Sequence, residues 1–519
     1  MEEPSRKKSA VFVNREEELQ EITQTVQDLQ DKQRLVKTPI IEFSGVQGIG
    51  KTSLLQRIEE ICSKRNVTCI AEKASAITSH HFQRIERLAE KEEPVVMIVD
   101  ELDGINSESE GFRDIENSLS YLLDKRIRFF VILASRSEQK FERTRSIKRK
   151  LTMRRLKPLE QKDCRQYLSH FARTVPPDVW DSIFDWTRGY PLALSAITLA
   201  VSDQGLDLTR REDQNQLIDI LMKKVVEDAL LATAPNPKER TRLRRLLEVL
   251  SISRRFNITL AQDLIESFAP EYKLESSFAY ITLPQTINEV TSVLTYKLEL
   301  AGYCIDAPIR NLFLLHMKIA KPEEYRATQQ FLAEQNEGFV QAVSGSDRVR
   351  YLREFFYHLA CYAEDGVVRE KLTKYIKQLA QAPGQDERSL VQSLESLLQF
   401  YEEFQRDEEL KEVLEQSRTQ FVLSLLYRNF IEIYGQIPEN MRESRLKQFF
   451  SLVTGHSQKD DFPFIFEEGM RHIITQITRS DAIKLYNDLV QDEQLTVLLG
   501  GQSKEVKARL TDSLVDEGH

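Results

Sequence analysis

The stretch Gly45-Val46-Gln47-Gly48-Ile49-Gly50-Lys51-Thr52 constrains the fold more than any other part of this chain. It matches G-x-x-x-x-G-K-[ST], the phosphate-binding loop that joins a buried strand to a helix. Its flanks supply both elements. Ile40-Ile41-Glu42-Phe43-Ser44 is apolar and β-prone, and Ser53-Leu54-Leu55-Gln56-Arg57-Ile58 carries a helical pattern. Three glycines let successive backbone N–H groups turn inward toward phosphate oxygens. The helix that follows presents its positive N-terminal end to the same anion. Lys51 is placed to reach the β- and γ-phosphates, and the Thr52 hydroxyl to ligate Mg²⁺. Val46, Gln47, Ile49 and Ser53 complete the expected contacts to ATP or ADP.

A second signature lies downstream. Pro94-Val95-Val96-Met97-Ile98-Val99 is a continuous apolar run ending in Asp100-Glu101. Such a run reads as a strand buried on both faces of a parallel sheet, and ligands bind at the carboxyl ends of such strands. Asp100 is therefore expected at the Mg²⁺ site, and Glu101 is placed to orient or deprotonate an attacking water. Asp103 reads equally as a cap for the turn at Gly104. Phe129-Phe130-Val131-Ile132-Leu133-Ala134 forms a third strand, followed by Arg136, which can sense a γ-phosphate through a charge-assisted hydrogen bond. Val67-Thr68-Cys69-Ile70-Ala71 is a fourth. Helical patterns separate these strands, so a three-layer α/β domain with a parallel sheet is expected.

Five motifs in order extend this reading. Phe12-Val13-Asn14-Arg15-Glu16-Glu17-Glu18-Leu19 resembles the F-V-G-R-E-x-E-L opening segment of the STAND ATPases, the signal-transduction ATPases with numerous domains. Origin-recognition-type AAA+ proteins carry the same segment. The phosphate loop and Asp100-Glu101 follow. Leu156-Lys157-Pro158-Leu159 is similar to the family's L-x-P-L, and Gly189-Tyr190-Pro191-Leu192-Ala193-Leu194 to the G-x-P-L-A-L of its helical lid. The resemblance implies that Val13, Asn14, Arg15 and Pro191 lie at the nucleotide base. Asn14 stands where the family has glycine. It further implies a winged helix after the lid. There Ile305-Asp306-Ala307-Pro308-Ile309-Arg310 resembles M-H-D-L-V-R, with Asp306 in place of the histidine that holds the β-phosphate of ADP. A carboxylate repels phosphate, so that contact is not expected here. His316 reads as an ordinary helix-face histidine.

The helical spacing of Leu243, Leu246, Leu247 and Leu250, then Asn257 or Thr259 as the N-cap of a second helix, fits the start of the winged helix. Beyond about residue 340 the pattern is nearly all helical. Leu390, Leu394, Leu397, Tyr401 and Phe404 form one apolar stripe, with turns at residues 344–347, 383–384, 435–438 and 455–457. No tetratricopeptide period is present. The expected organisation is an α/β P-loop NTPase domain over residues 1–158, a helical lid over 159–235, a winged helix over 236–330, and an all-α helical array over 331–519.

Composition narrows the function. The chain has 519 residues, 41% hydrophobic and 29% charged, with a net charge of -9, so the whole molecule is not a general nucleic-acid binder. Residues 125–157 are the exception, with thirteen Lys and Arg against Glu138 and Glu142. They read either as a solvated surface beside an anionic site or as a docking surface for an acidic partner, a neighbouring subunit's nucleotide, or nucleic acid. No run approaches the ~18 apolar residues of a membrane span, and the first eight residues lack a secretory signal. Cys62, Cys69, Cys164, Cys304 and Cys361 have no metal-type spacing, and a reducing cytoplasm is expected. The resemblance implies an ATP-dependent switch with slow hydrolysis. ADP holds it closed, ATP opens it to oligomerise, and a partner or effector acts in trans, as in bacterial defence or signalling. The alternative is a winged-helix DNA-binding AAA+ ATPase of origin-recognition or transcription-regulator type. A scaffold that binds nucleotide without turning it over is a third reading.

Overall fold

The structure is a computed structural model. It describes residues 12–516 except 32, 35, 106–108, 137–140, 142–144, 299, 382–386, 438, 458–460 and 491–492. Parts of the basic segment 125–157 and the turn at 383–384 therefore lie outside the described residues. The chain divides into two compact units, Met1–Glu324 and Tyr325–His519.

The first unit opens with helix α1 (Glu16–Gln30), then β1 (Ile40–Ser44), α2 (Lys51–Lys64), β2 (Thr68–Lys73), α3 (Ser79–Glu90), β3 (Val95–Asp100), α4 (Glu110–Asp124), β4 (Phe130–Ser135), α5 (Arg145–Lys150) and β5 (Leu151–Arg155). The five strands are parallel in the order β2-β3-β4-β1-β5. Val95, Met97 and Val99 of β3 share one buried cluster with Phe82 and Ile85 of α3 and Phe112, Ile115 and Leu119 of α4. Helices α1 and α2 pack together and against β2, β3 and β4. The three-layer α/β arrangement of the sequence is thus present. Strand alternation explains it: successive side chains point to opposite faces, so an unbroken apolar strand needs helices on both sides. The fifth strand, Leu-Thr-Met-Arg-Arg, is not among the four expected ones. It lies at the sheet edge, where only one side of its ladder is paired and charged side chains reach water.

Next come α6 (Gln161–Ser169), α7 (Trp180–Thr187), α8 (Pro191–Gln204) and α9 (Arg211–Leu221), which runs on as a π-helical stretch, Met222–Leu230. Gly189, between α7 and α8, has φ = 70°. Its carbonyl accepts from Leu159 N at 2.8 Å, and a Cβ placed on it would lie 1.8 Å from the Leu159 carbonyl oxygen. The two distant motifs L-x-P-L and G-x-P-L are therefore one backbone junction, closed around a residue that has no side chain.

Helices α10 (Pro237–Ile252), α11 (Ile258–Phe268) and α12 (Ser277–Thr291) precede an antiparallel ribbon, β6 (Leu294–Lys297) and β7 (Gly302–Ile305), and then α13 (Ala307–Ala320). Three helices are thus followed by a two-stranded ribbon and a further helix. Leu243, Leu246, Leu247 and Leu250 are all buried, and Asn257 caps α11 by accepting from Leu260 N.

The second unit is largely helical. Leu394, Leu397, Tyr401 and Phe404 on helix Glu387–Arg406 are buried, and Phe430 stacks on Phe449 at 3.8 Å between ring centroids. That apolar stripe is helix–helix core. Among the described residues no helix is long and apolar enough to cross a membrane.

Gly189→Ala forces a Cβ into the Leu159 carbonyl at a left-handed φ. The expected cost is at least about 2 kcal/mol. Both tryptophans, Trp180 and Trp186, sit in α7 beside the junction. Urea unfolding followed by tryptophan fluorescence reads the loss.

Candidate nucleotide site

Ser44, Asp100 and Ser135 end β1, β3 and β4 at the same edge of the sheet. The loop from Gly45 to Gly50 rises from this edge into α2. Gly45, Gly48 and Gly50 have φ of 153°, 84° and 101°. A side chain is strained in such backbone, and glycine is not. At Gly48 space also excludes a Cβ, which would lie 2.8 Å from Leu192 and 2.9 Å from the Tyr190 hydroxyl. Tyr190 donates its hydroxyl proton to the Gln47 carbonyl. The start of α8 is thus seated on the loop itself. Burial pushes the Tyr190 phenol above its ordinary value, so it remains a donor.

Lys51 folds back onto the loop, donating to the carbonyls of Gly45 at 2.5 Å and Val46 at 3.2 Å. Burial lowers its pKa to about 8, although the carboxylates of Asp103 and Asp100 oppose that shift. The Thr52 hydroxyl donates to Asp100 Oδ2 at 3.1 Å. A hydroxyl and a carboxylate side by side are hard oxygen donors of the kind Mg²⁺ takes, and Mg²⁺ usually draws its other ligands from water and phosphate. No cluster of three His, Cys, Asp or Glu that could hold a metal ion occurs among the described residues.

A cavity of about 1540 Å³ extends from this point. Gln47 to Ser53, Asp100, Glu101, Arg136, Val13, Arg15 and Pro191 line it. Tyr167, Leu194 and Ser195 contribute further wall. Asn14, Gly45 and Val46 are not in the lining. Asn14 has φ = 61° and its amide donates to Asp163 Oδ2 at 2.5 Å. Asparagine is, after glycine, among the residues that enter the left-handed region most readily, which explains how it substitutes for glycine here. The Arg15 guanidinium bonds the carbonyls of Ile49 at 3.3 Å and Lys157 at 2.7 Å. It braces the phosphate loop as well as lining the cavity.

Glu101 and Arg136 stand differently from the sequence expectation. Glu101 Oε1 accepts from Lys73 Nζ at 2.8 Å, which raises the Lys73 pKa. Lys73 ends β2 and pairs in register with Asp100. The carboxylate expected to orient a water is therefore held sideways, toward the neighbouring strand. Arg136 is more constrained. Its backbone N and its Nε both donate to Asp103, at 2.7 and 2.6 Å. Its Nη1 donates to the Val290 carbonyl at 2.9 Å and reaches Thr233 Oγ1 at 3.4 Å. Val290 lies in the last turn of α12, whose carbonyls lack intrahelical partners and carry the negative end of the helix dipole. A guanidinium suits that position. Asp103, which the sequence offered as a turn cap, is the residue that aims Arg136.

Asp306 lies outside the cavity lining. Its Oδ2 accepts from Arg155 Nη2 at 2.9 Å, joining the edge strand β5 to the start of α13. Burial raises its pKa and Arg155 opposes the shift. An ion pair therefore sits where the resembled family places its phosphate-binding histidine. His316 is also away from the cavity. It is buried 3.4 Å from Glu248, and that burial lowers its pKa. Lys73, Tyr190, Thr233 and Arg155 carried no sequence signal for their roles, because each acts through a partner more than 25 residues away in the chain.

Residues 41–158 match the family model for ATPases associated with various cellular activities (AAA). No curated protein sequence matches the chain. Among solved structures, a Walker-type ATPase of Pyrococcus abyssi aligns over 58% of this chain and 95% of its own, at 14% identity and a TM-score of 0.42. The Orc1 protein of Aeropyrum pernix in complex with DNA aligns over 60% and 95%, at 15% identity and a TM-score of 0.33. DnaA of Aquifex aeolicus, bound to AMPPCP, aligns over 53% and 95%, at 16% identity and a TM-score of 0.32. The assignment of residues 41–158 as an AAA-type ATPase domain, and with it nucleotide binding, rests on the family match and the five-stranded parallel sheet.

Phosphate binding stabilises the charged form of Lys51, so binding takes up a proton wherever the free side chain is neutral. The Lys51 contribution to nucleotide affinity is then flat below about pH 8 and falls above it, approaching tenfold per pH unit. Fluorescent-nucleotide titrations across that range measure the slope. Lys51→Arg, which keeps its charge throughout, is expected to remove it.

Proposed function

We propose that this protein is an ATP-binding, slowly hydrolysing switch of STAND type, in which nucleotide state sets whether α12 stays latched to the sheet. Residues 159–235 are its lid, 236–330 its winged helix and 331–519 its partner-binding array. The observation that carries this reading is the double engagement of Arg136, with Asp103 at the nucleotide site and with Val290 of α12. Guanidinium binds phosphate best through two parallel N–H groups. Either fork of Arg136, Nε with Nη2 or Nη1 with Nη2, already has one arm committed. Arg136 can take a phosphate oxygen in bidentate fashion only by giving up Asp103 or Val290.

In this reading Lys51 and the loop N–H groups hold the nucleotide phosphates, and Thr52 and Asp100 hold Mg²⁺. Bound Mg²⁺–ATP supplies a γ-phosphoryl group and a concentrated charge beside Arg136. Lys51 leaves the Gly45 and Val46 carbonyls, Arg136 leaves Val290, and α12 is released. Glu101 orients water for hydrolysis once it parts from Lys73, and the pairing with Lys73 keeps turnover slow at rest. Moving such an equilibrium from mostly closed to mostly open takes roughly 5.5 kcal/mol of differential binding. The Arg155–Asp306 pair does the closing work that a histidine does in the resembled family.

The alternative, a DNA-binding winged helix, draws support from the exposed Lys148, Arg149 and Lys150 on α5. Against it, residues 276–293, which include all of α12, contain neither Lys nor Arg. Filter binding with duplex DNA at two salt concentrations separates the two. Tight binding with a steep salt slope would sink the switch-only reading.

Arg136→Ala is expected to leave ADP affinity within about threefold and to remove most of the preference for ATP over ADP. Backbone amides at the end of α12 then exchange hydrogen as fast without nucleotide as in the ATP-bound wild type. Unchanged protection of α12 in all states would overturn the reading. Glu101→Gln is expected to lower phosphate release by about 10² or more, and Lys73→Ala to raise it severalfold. Equal, near-zero release from wild type and Glu101→Gln would mark a scaffold instead.

A further inference from the structure

Helix α12 has two faces. Tyr280, Leu283 and Ile287 are buried against the rest of the first unit. Phe278, Ile281, Gln285 and Glu289 recur at helical spacing on the other side and are exposed. Phe278 is 71% exposed and Ile281 59%. Glu275 and Glu289, both exposed, bracket this apolar surface, and no cation lies between them. The ribbon that follows adds Leu298, 83% exposed at its tip. Large apolar side chains at such exposure mark a contact surface. Glu275 and Glu289 favour a basic rim on whatever covers the helix face, while the exposed Lys297 stands beside Leu298 at the ribbon tip.

The same chain carries that complement. Lys148, Arg149 and Lys150 of α5 are exposed, with no acidic partner among the described residues. They adjoin the edge strand β5, where Met153 is 48% exposed. A two-fold pairing of α12 with α12 would set Glu275 and Glu289 against their own copies. A head-to-tail contact sets them against α5 instead.

We propose that the outer face of α12 docks on the α5–β5 surface of a second copy of this chain. The contact is heterologous, so it propagates into a ring or an open filament. It rests on the switch reading above, because Val290 of the same helix is held by Arg136. The outer face is open while Val290 is held, so release of Val290 changes how far α12 can shift to meet its neighbour. By linkage, docking of the neighbour favours the nucleotide state that releases it.

The test uses the full chain in analytical ultracentrifugation, with Mg²⁺ and either ADP or the non-hydrolysable analogue AMPPCP. The wild type is expected to associate with AMPPCP and much less with ADP. Phe278→Asp with Ile281→Asp spoils one face, and Lys148→Glu with Arg149→Glu spoils the other. Each pair is expected to shift the association midpoint at least tenfold, with circular dichroism and thermal midpoint unchanged. Mixed one to one, the two defective proteins retain one good contact between them, so they form dimers and nothing larger. A wild type that binds AMPPCP yet stays monomeric overturns the surface and leaves the switch standing. A wild type that binds no nucleotide overturns the switch. Assembly of either variant at wild-type concentrations, or a mixture that stays monomeric, overturns the head-to-tail contact.

Discussion

The guanidinium of Arg136 is where the nucleotide site and α12 meet. It sits at the carboxyl end of β4, within the cavity, and Asp103 fixes it from the next strand's loop. Its remaining arm ends on the open carbonyl of Val290. A charged donor on a helix C-terminus is a favourable contact worth about 0.3–1 kcal/mol where exposed and more where partly buried. That is small enough for a phosphate to outcompete.

Other contacts set how far anything can move. Tyr190 and Leu192 sit on Gly48, and Gly189 closes on Leu159, so the start of α8 is keyed to the phosphate loop through glycines. Arg15 braces the loop from the opposite side through the carbonyls of Ile49 and Lys157. The Arg155–Asp306 pair is half-exposed on its arginine side, so screening limits its worth. These are rigid seats around the loop and softer ties at the edge.

The strands that the sequence made legible are those with long apolar runs. Val95–Val99 and all of Phe130–Ser135 are buried, so burial dictated their apolar composition. Leu151–Arg155 carries two arginines and no apolar run, whereas the other edge strand, Thr68–Lys73, overlaps the apolar pattern Val67–Ala71. Lys51, Thr52 and Asp100 stand out in the sequence by type and spacing, and the structure brings Thr52 and Asp100 to 3.1 Å. Glu101 and Arg136 were legible as residue types but not as partners. Nothing in the local pattern says that a strand-end glutamate will turn to Lys73, or that Asp103 will hold an arginine 33 residues on.

By itself, the sequence determined the parallel sheet, the phosphate loop at its edge, the helical order that follows and the residue types available for chemistry. Each of these follows from local rules: strand alternation, glycine's freedom at positive φ, and helical spacing. Only the tertiary structure decided which charges meet. Arg136 with Val290, Arg155 with Asp306, Lys73 with Glu101 and Tyr190 with Gln47 all join separate elements. Ion pairs and hydrogen bonds depend on a few ångströms of separation, and that separation is set by how whole helices pack on the sheet, which no short window of residues contains.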